Sequence, residues 1–185
     1  MSETERYRVN EIFASVQGEG YWTGTAAVFV RFAMCNLRCP FCDTDFDAYT
    51  EMTVDEILAE VNRYAPHTII LTGGEPALQV DERLIDALHA AGKRIHIETN
   101  GTRPLPSGID WVTLSPKAAP TVLERIDELK VVYEGQDLTQ YDCYICPNRF
   151  LQPCSNQNIQ ETFEAVLTNP QWRLSLQTHK LIGVR

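Results

Sequence analysis

The sequence predicts a single α/β domain spanning residues 1–185, built on a parallel sheet that is either open or partly closed into a barrel. Three observations carry this. Short apolar runs alternate with amphipathic stretches of helical period, no break in composition, repeat or low-complexity linker divides the chain, and the polar motifs follow the ends of the apolar runs.

In order, Ala27 to Ala33 (AVFVRFA) is the first predicted strand, followed by a cysteine-rich loop. Thr53 and Glu56 then form a capping-box pattern that opens a helix to about Tyr64, with Val54, Ile57, Leu58 and Val61 on one face and Pro66 as its stop. Thr68 to Leu71 is too short and apolar for anything but a strand. Leu84, Ile85 and Leu88 stripe a second helix that Gly92 ends. Further strands are predicted at Arg94 to Ile97, Trp111 to Leu114, Lys130 to Tyr133, Arg149 to Leu151 and Trp172 to Leu176, with helix-like stretches at Thr121 to Ile126 and Ile159 to Leu167.

With 44% hydrophobic residues the chain can bury one full core, and its net charge of −9 disfavours nucleic acid and anionic membranes as partners. The N-terminal MSETERYRVN lacks an apolar signal-like region and no apolar run reaches a membrane span, so a cytoplasmic protein is expected. Six cysteines in that setting read as reduced thiols or ligands rather than disulfides.

Cys35, Cys39 and Cys42, spaced C-x3-C-x2-C, are the most specific chemical signal. A structural zinc site needs four ligands, and the nearest other cysteine, Cys143, lies about a hundred residues away, so an iron–sulfur cluster with one open position is favoured. A dithiol redox pair at Cys39 and Cys42 leaves Cys35 without a role. Cys143 and Cys146 form a second C-x2-C and read as reduced structural thiols.

The cysteine spacing, with an aromatic before the last cysteine, resembles the radical S-adenosylmethionine (SAM) enzymes. That resemblance implies a [4Fe–4S] cluster on Cys35, Cys39 and Cys42, SAM chelating the fourth iron, and a deoxyadenosyl radical formed on reduction. Gly73-Gly74-Glu75-Pro76 is similar to the GGE motif that meets the SAM amino group, with a carboxylate suited to an ammonium.

Within the superfamily, the ordered motifs resemble the 7-carboxy-7-deazaguanine synthase family of queuosine biosynthesis. They are QGEG at 17–20, VRF at 30–32, CDT at 42–44, TGGEP at 72–76, ETNGT at 98–102, SPK at 115–117, LQP at 151–153 and QTHK at 177–180.

The resemblance implies a partial (β/α) barrel of about six parallel strands. Its implied reaction converts 6-carboxy-5,6,7,8-tetrahydropterin to 7-carboxy-7-deazaguanine with loss of ammonia. Carried over by position, the SAM contacts are Phe41, Asp43, Gly74, Glu75, Glu98 (to the ribose), Ser115, Pro116, Lys117, Gln152, Pro153, Cys154 and Ser155. The substrate contacts are Val16, Gln17, Gly18, Arg31 and Thr72, and Thr44 ligates Mg2+. Arg31 suits a carboxylate, and Gln17 with the Gly18 backbone an amide edge. A flavodoxin or ferredoxin reductant and a homodimer are also implied. Two other readings use the same cysteines: a radical SAM activase that makes a glycyl radical on a partner enzyme, and a zinc-stapled binding module.

Overall fold

The computed structural model describes residues 6–40, 42, 48–117 and 121–185. Its centre is a nine-stranded sheet in the order β3-β1-β2-β4-β5-β6-β7-β8-β9. The strands are β1 (Tyr7–Val16), β2 (Ala26–Phe32), β3 (Thr50–Met52), β4 (Thr68–Gly73), β5 (Arg94–Thr99), β6 (Trp111–Leu114), β7 (Glu128–Tyr133), β8 (Arg149–Pro153) and β9 (Arg173–Leu174). From β2 through β9 every neighbouring pair is parallel, which makes seven parallel strands where about six were expected. β1 joins antiparallel to β2 on one side and to β3 on the other.

Alternation along each strand sorts residues onto two faces. Val28, Val30, Phe32, Ile69, Leu71, Ile95, Ile97 and Val112 belong to one apolar cluster, covered by α1 (Val54–Val61) and α2 (Glu82–Ala90). Leu114, Leu129, Val131 and Leu151 form a second with Trp172 and with Ala165 of α3 (Ile159–Thr168). The residues between them, Phe29, Arg31, Thr72, Glu98, Lys130, Val132 and Gln152, fall on the opposite face and line a cavity. Burying the outer face contributes most of the stability, at about 25 cal/mol per Å² of apolar area removed from water.

The capping box forms: Thr53 Oγ1 accepts from the Glu56 amide at 3.2 Å and Glu56 Oε2 accepts from the Thr53 amide at 2.7 Å. At α2, Asp81 accepts from the Leu84 amide at 3.0 Å and from the Tyr7 hydroxyl at 2.6 Å, tying the helix to β1. Burial, aided by Asp81, pushes the Tyr7 phenol up to about 12.

Three expectations need correction. The hairpin strand β1 and the short β3 were not foreseen. The helix expected from Thr121 to Ile126 is absent, because the segment bonds elsewhere: the Val122 amide and Thr121 Oγ1 both donate to the Gly101 carbonyl, and the Leu123 amide donates to Thr121 Oγ1. The first helix ends at Val61 rather than Tyr64, and β9 covers only two of the five residues expected of it. A single helical turn, α4 (Thr178–Leu181), follows β9.

Candidate active site

The C-terminal ends of the parallel strands open on a cavity of about 740 Å³. Its first wall is the loop leaving β2. Met34 there adopts φ 69°, and the turn after β4 continues the strand pairing onto it: the Gly74 amide donates to Phe32 O at 2.9 Å and the Glu75 amide to Met34 O at 2.8 Å. A Cβ on Gly74 would stand 2.0 Å from Met34 O, so only glycine permits this approach. Asn36 extends the anchoring, donating to Thr102 Oγ1 at 2.8 Å and accepting from Asn100 Nδ2 at 3.1 Å.

Cys35, Cys39 and Cys42 all line the cavity from this loop. Burial pushes the thiols of Cys35 and Cys39 up; Cys39 and Cys42 lie close enough to Cys35 to add to its shift, while Lys117 opposes it at Cys39. Among the described residues no three His, Cys, Asp or Glu side chains stand gathered in ligand geometry. Drawing three thiolates together is work for a cation, since they repel one another until it neutralises them. All six cysteines are free thiols; Cys143 is exposed and Cys146 buried, each donating to a nearby carbonyl.

Glu75 differs from its expected role. The side chain is fully buried, and its oxygens accept from the Ala77 amide at 3.0 Å, Thr99 Oγ1 at 2.7 Å and the Asn100 amide at 2.7 Å. Burial pushes its carboxyl up, with these bonds opposing. It fastens the β4 turn to the end of β5, leaving Gly73 and Gly74 to face the cavity.

Of the other residues assigned to SAM, Ser115, Lys117, Gln152, Pro153, Cys154 and Ser155 line the cavity, and Pro116 does not. The Ser115 amide is held by Thr99 O at 2.8 Å, and Gln152 Oε1 by Ser175 Oγ at 3.1 Å. Ser155 and Asn156 adopt left-handed backbone, which turns this loop over the β8 end. Burial, reinforced by Lys130, draws the Lys117 ammonium down. Phe41, Asp43 and Thr44 lie outside the described residues.

The opposite end of the cavity is polar. Val16, Gln17, Gly18, Arg31 and Thr72, the residues assigned to substrate, line it together. Arg31 Nε meets Glu11 Oε1 at 2.9 Å across the β1–β2 register, and Arg185 reaches the other oxygen of Glu11. Both guanidinium groups lie over the Phe13 ring. Glu98, expected at the ribose, accepts from Gln17 Nε2 at 2.9 Å and Thr72 Oγ1 at 3.3 Å, which places it beside those two residues.

Sequence reasoning missed Glu19, Lys130 and His179 as site residues. All three line the cavity. The available signal was a lysine between Leu129 and Val131 of β7, and two motifs, QGEG and QTHK, whose charged members had no role assigned.

Comparison with known proteins agrees with this geometry. Residues 29–167 match the radical SAM superfamily. The chain is 60% identical over 179 residues to 7-carboxy-7-deazaguanine synthase of Bacteroides thetaiotaomicron, covering 96% of this chain and 98% of that protein. The enzyme of the same name from Bordetella pertussis is 44% identical, covering 96% and 99%. This chain belongs to the 7-carboxy-7-deazaguanine synthase family of the radical SAM superfamily. The crystal structure of QueE from Escherichia coli superposes with a TM-score of 0.77 at 28% identity, covering 92% of this chain and 93% of that one.

Membership in the superfamily brings SAM and a [4Fe–4S] cluster as cofactors. The residues fit them. Cys35, Cys39 and Cys42 come from one loop beside a cavity of about 740 Å³, so they would hold a cluster by three thiolates and leave one position for a cofactor bound in that cavity. The relatives are synthases, which disfavours the glycyl-radical activase reading, and superfamily membership disfavours the zinc module.

Proposed function

We propose that this protein converts 6-carboxy-5,6,7,8-tetrahydropterin to 7-carboxy-7-deazaguanine, releasing ammonia, in the 7-deazapurine and queuosine route. The observation that carries this is one cavity with two unlike ends: three cysteines and a glycine-edged turn at one, and Gln17, Arg31, Thr72 and Glu98 at the other. Substrate and product differ by one ammonia, so the conversion is redox-neutral and SAM can act catalytically.

When bound, the cluster and SAM would supply the radical chemistry needed for hydrogen abstraction at C6 of the pterin ring. The chain's own groups bind and orient. Cys35, Cys39 and Cys42 would hold the cluster, and the backbone of Gly73 and Gly74 would border the SAM methionine. Ser115, Lys117 and the turn from Gln152 to Ser155, which line the same cavity, would surround the nucleoside. Arg31 is pre-aimed by Glu11 and exchanges that partner for the substrate carboxylate, with Gln17 and Thr72 addressing the pyrimidinone edge. Phe13, Phe29, Val16 and Val132 give that end apolar walls that exclude water. Thr44 supplies an oxygen to Mg2+, a hard cation that keeps positions open for substrate oxygens. A flavodoxin or ferredoxin serves as electron donor, and the enzyme works as a cytoplasmic homodimer; no helix among the described residues is long and apolar enough to cross a membrane.

The test is anaerobic reconstitution with iron, sulfide and a reductant, followed by chromatography of the products from carboxytetrahydropterin, SAM and Mg2+. Formation of the carboxydeazaguanine with equimolar ammonia is expected. Reductive SAM cleavage that leaves the pterin untouched would refute the substrate assignment.

A further inference from the structure

Lys130 is 4% exposed on the inner face of β7, between Glu128 and Val132. An unpaired ammonium in that position costs several kcal/mol. Its Nζ reaches Glu19 Oε2 at 2.5 Å and Glu98 Oε1 at 3.1 Å. Those carboxylates come from the loop after β1 and from β5. Gln17 closes a ring through the same groups, donating from Nε2 to Glu98 and accepting at Oε1 from the Glu19 amide at 3.1 Å. Gln177 Nε2 donates to the other Glu19 oxygen at 2.8 Å. Gln17, Glu19, Glu98, Lys130 and Gln177 all border the cavity.

We infer that Lys130 is the positioning residue of the substrate end, its buried ammonium holding the Glu19 and Glu98 carboxylates in one fixed arrangement as acceptors for a ligand face that carries N–H donors. This rests on the proposed pterin substrate, whose aminopyrimidinone ring presents such a face. A carboxylate has about four acceptor sites, so each retains capacity after its protein bonds are made. An apolar side chain at position 130 would fill the strand at less desolvation cost, yet would leave two carboxylates free to turn away from the cavity.

The charged neighbours act in the same direction. Burial alone would raise the Glu19 carboxyl, but the Lys130 charge and hydrogen bond, with Gln177 and His179 of α4, hold it well below the usual range. Glu98 from β5 and Glu128 from β7 reinforce Lys130, whose ammonium is raised despite its burial. Lys117, after β6, is a further cation facing the group.

The experiment is equilibrium binding of carboxytetrahydropterin, and separately of SAM, to reconstituted wild type, K130M and K130R between about pH 5.5 and 8.5. K130M is expected to keep SAM affinity within about twofold while losing pterin affinity by about tenfold or more, the loss growing as pH falls because Glu19 is released to burial. K130R should recover most of the affinity. Pterin binding by K130M equal to wild type across that range overturns the inference, as does a parallel fall in SAM affinity and thermal midpoint. If K130M does not fold, the charge-neutral pair K130M/E19Q replaces it: selective loss of pterin affinity, with K130R near wild type, supports the assignment, and unchanged affinity overturns it. Failure of the substrate reading is visible independently, as absence of product from the wild-type enzyme.

Discussion

At the scale of single residues, the site depends on backbones approaching more closely than side chains allow. Gly74 is the sharpest case, because the two hydrogen bonds that zip the β4 turn to Phe32 and Met34 place its Cα against the peptide that precedes Cys35. G74A must push that peptide away, at a cost of about 1–3 kcal/mol or more, and displace the first cysteine. Iron and sulfide content after reconstitution is expected to fall severalfold while far-ultraviolet dichroism stays native. G24A is the control for strain without a clash: Gly24 sits at φ 88°, so alanine there costs stability, but its Cβ meets nothing within 4 Å and the cluster should load normally. Loading of G74A equal to G24A would show that the turn does not set the cysteine loop. The importance of two adjacent glycines was legible in the sequence. What Glu75 does was not, because its partners Thr99 and Asn100 arrive from another strand and only the sheet order brings them together.

At the scale of elements, local chemistry that closes within a few residues was readable. Thr53 and Glu56 satisfy each other's backbone amides, so the start of α1 follows from four consecutive residues. T53A should cost about 1 kcal/mol, read as a lower denaturant midpoint at unchanged slope, with SAM binding unaffected because α1 packs on the outer face. A midpoint within error of wild type would mean that tertiary packing alone holds the helix end. Elements whose partners are remote were not readable. β1 mixes polar and apolar residues: Tyr7 and Val9 face the core, a register shift follows between Val9 and Glu11, and Asn10, Glu11 and Phe13 border the cavity. The bulge breaks the period-two pattern that would have announced a strand. The segment from Thr121 has helical spacing, but its amides and hydroxyl are taken by Gly101 and by Thr121 itself.

At the scale of the whole molecule, the alternation of apolar runs revealed the parallel sheet because helices cover its outer face, while the inner polar ring needed the strand order to be seen. That ring makes a prediction about acid stability. Glu19 is held below its ordinary 4.5 in the folded protein, so its contribution is present above that value and is lost as pH falls through the folded one. Lys130 is raised above its ordinary 10.5, so its contribution is present below 10.5 and is lost only as pH rises beyond it. Between those limits neither changes its charge, and the difference in unfolding free energy between wild type and E19Q should be flat. Below about pH 4.5 the difference should shrink, since the unfolded wild-type chain takes up a proton at Glu19 that the folded one resists and that E19Q cannot bind. Urea midpoints measured at several pH values on both proteins decide the matter. A gap that persists unchanged down to about pH 3 would mean that Glu19 acts by shape and hydrogen bonding, without the charge that Lys130 is placed to hold.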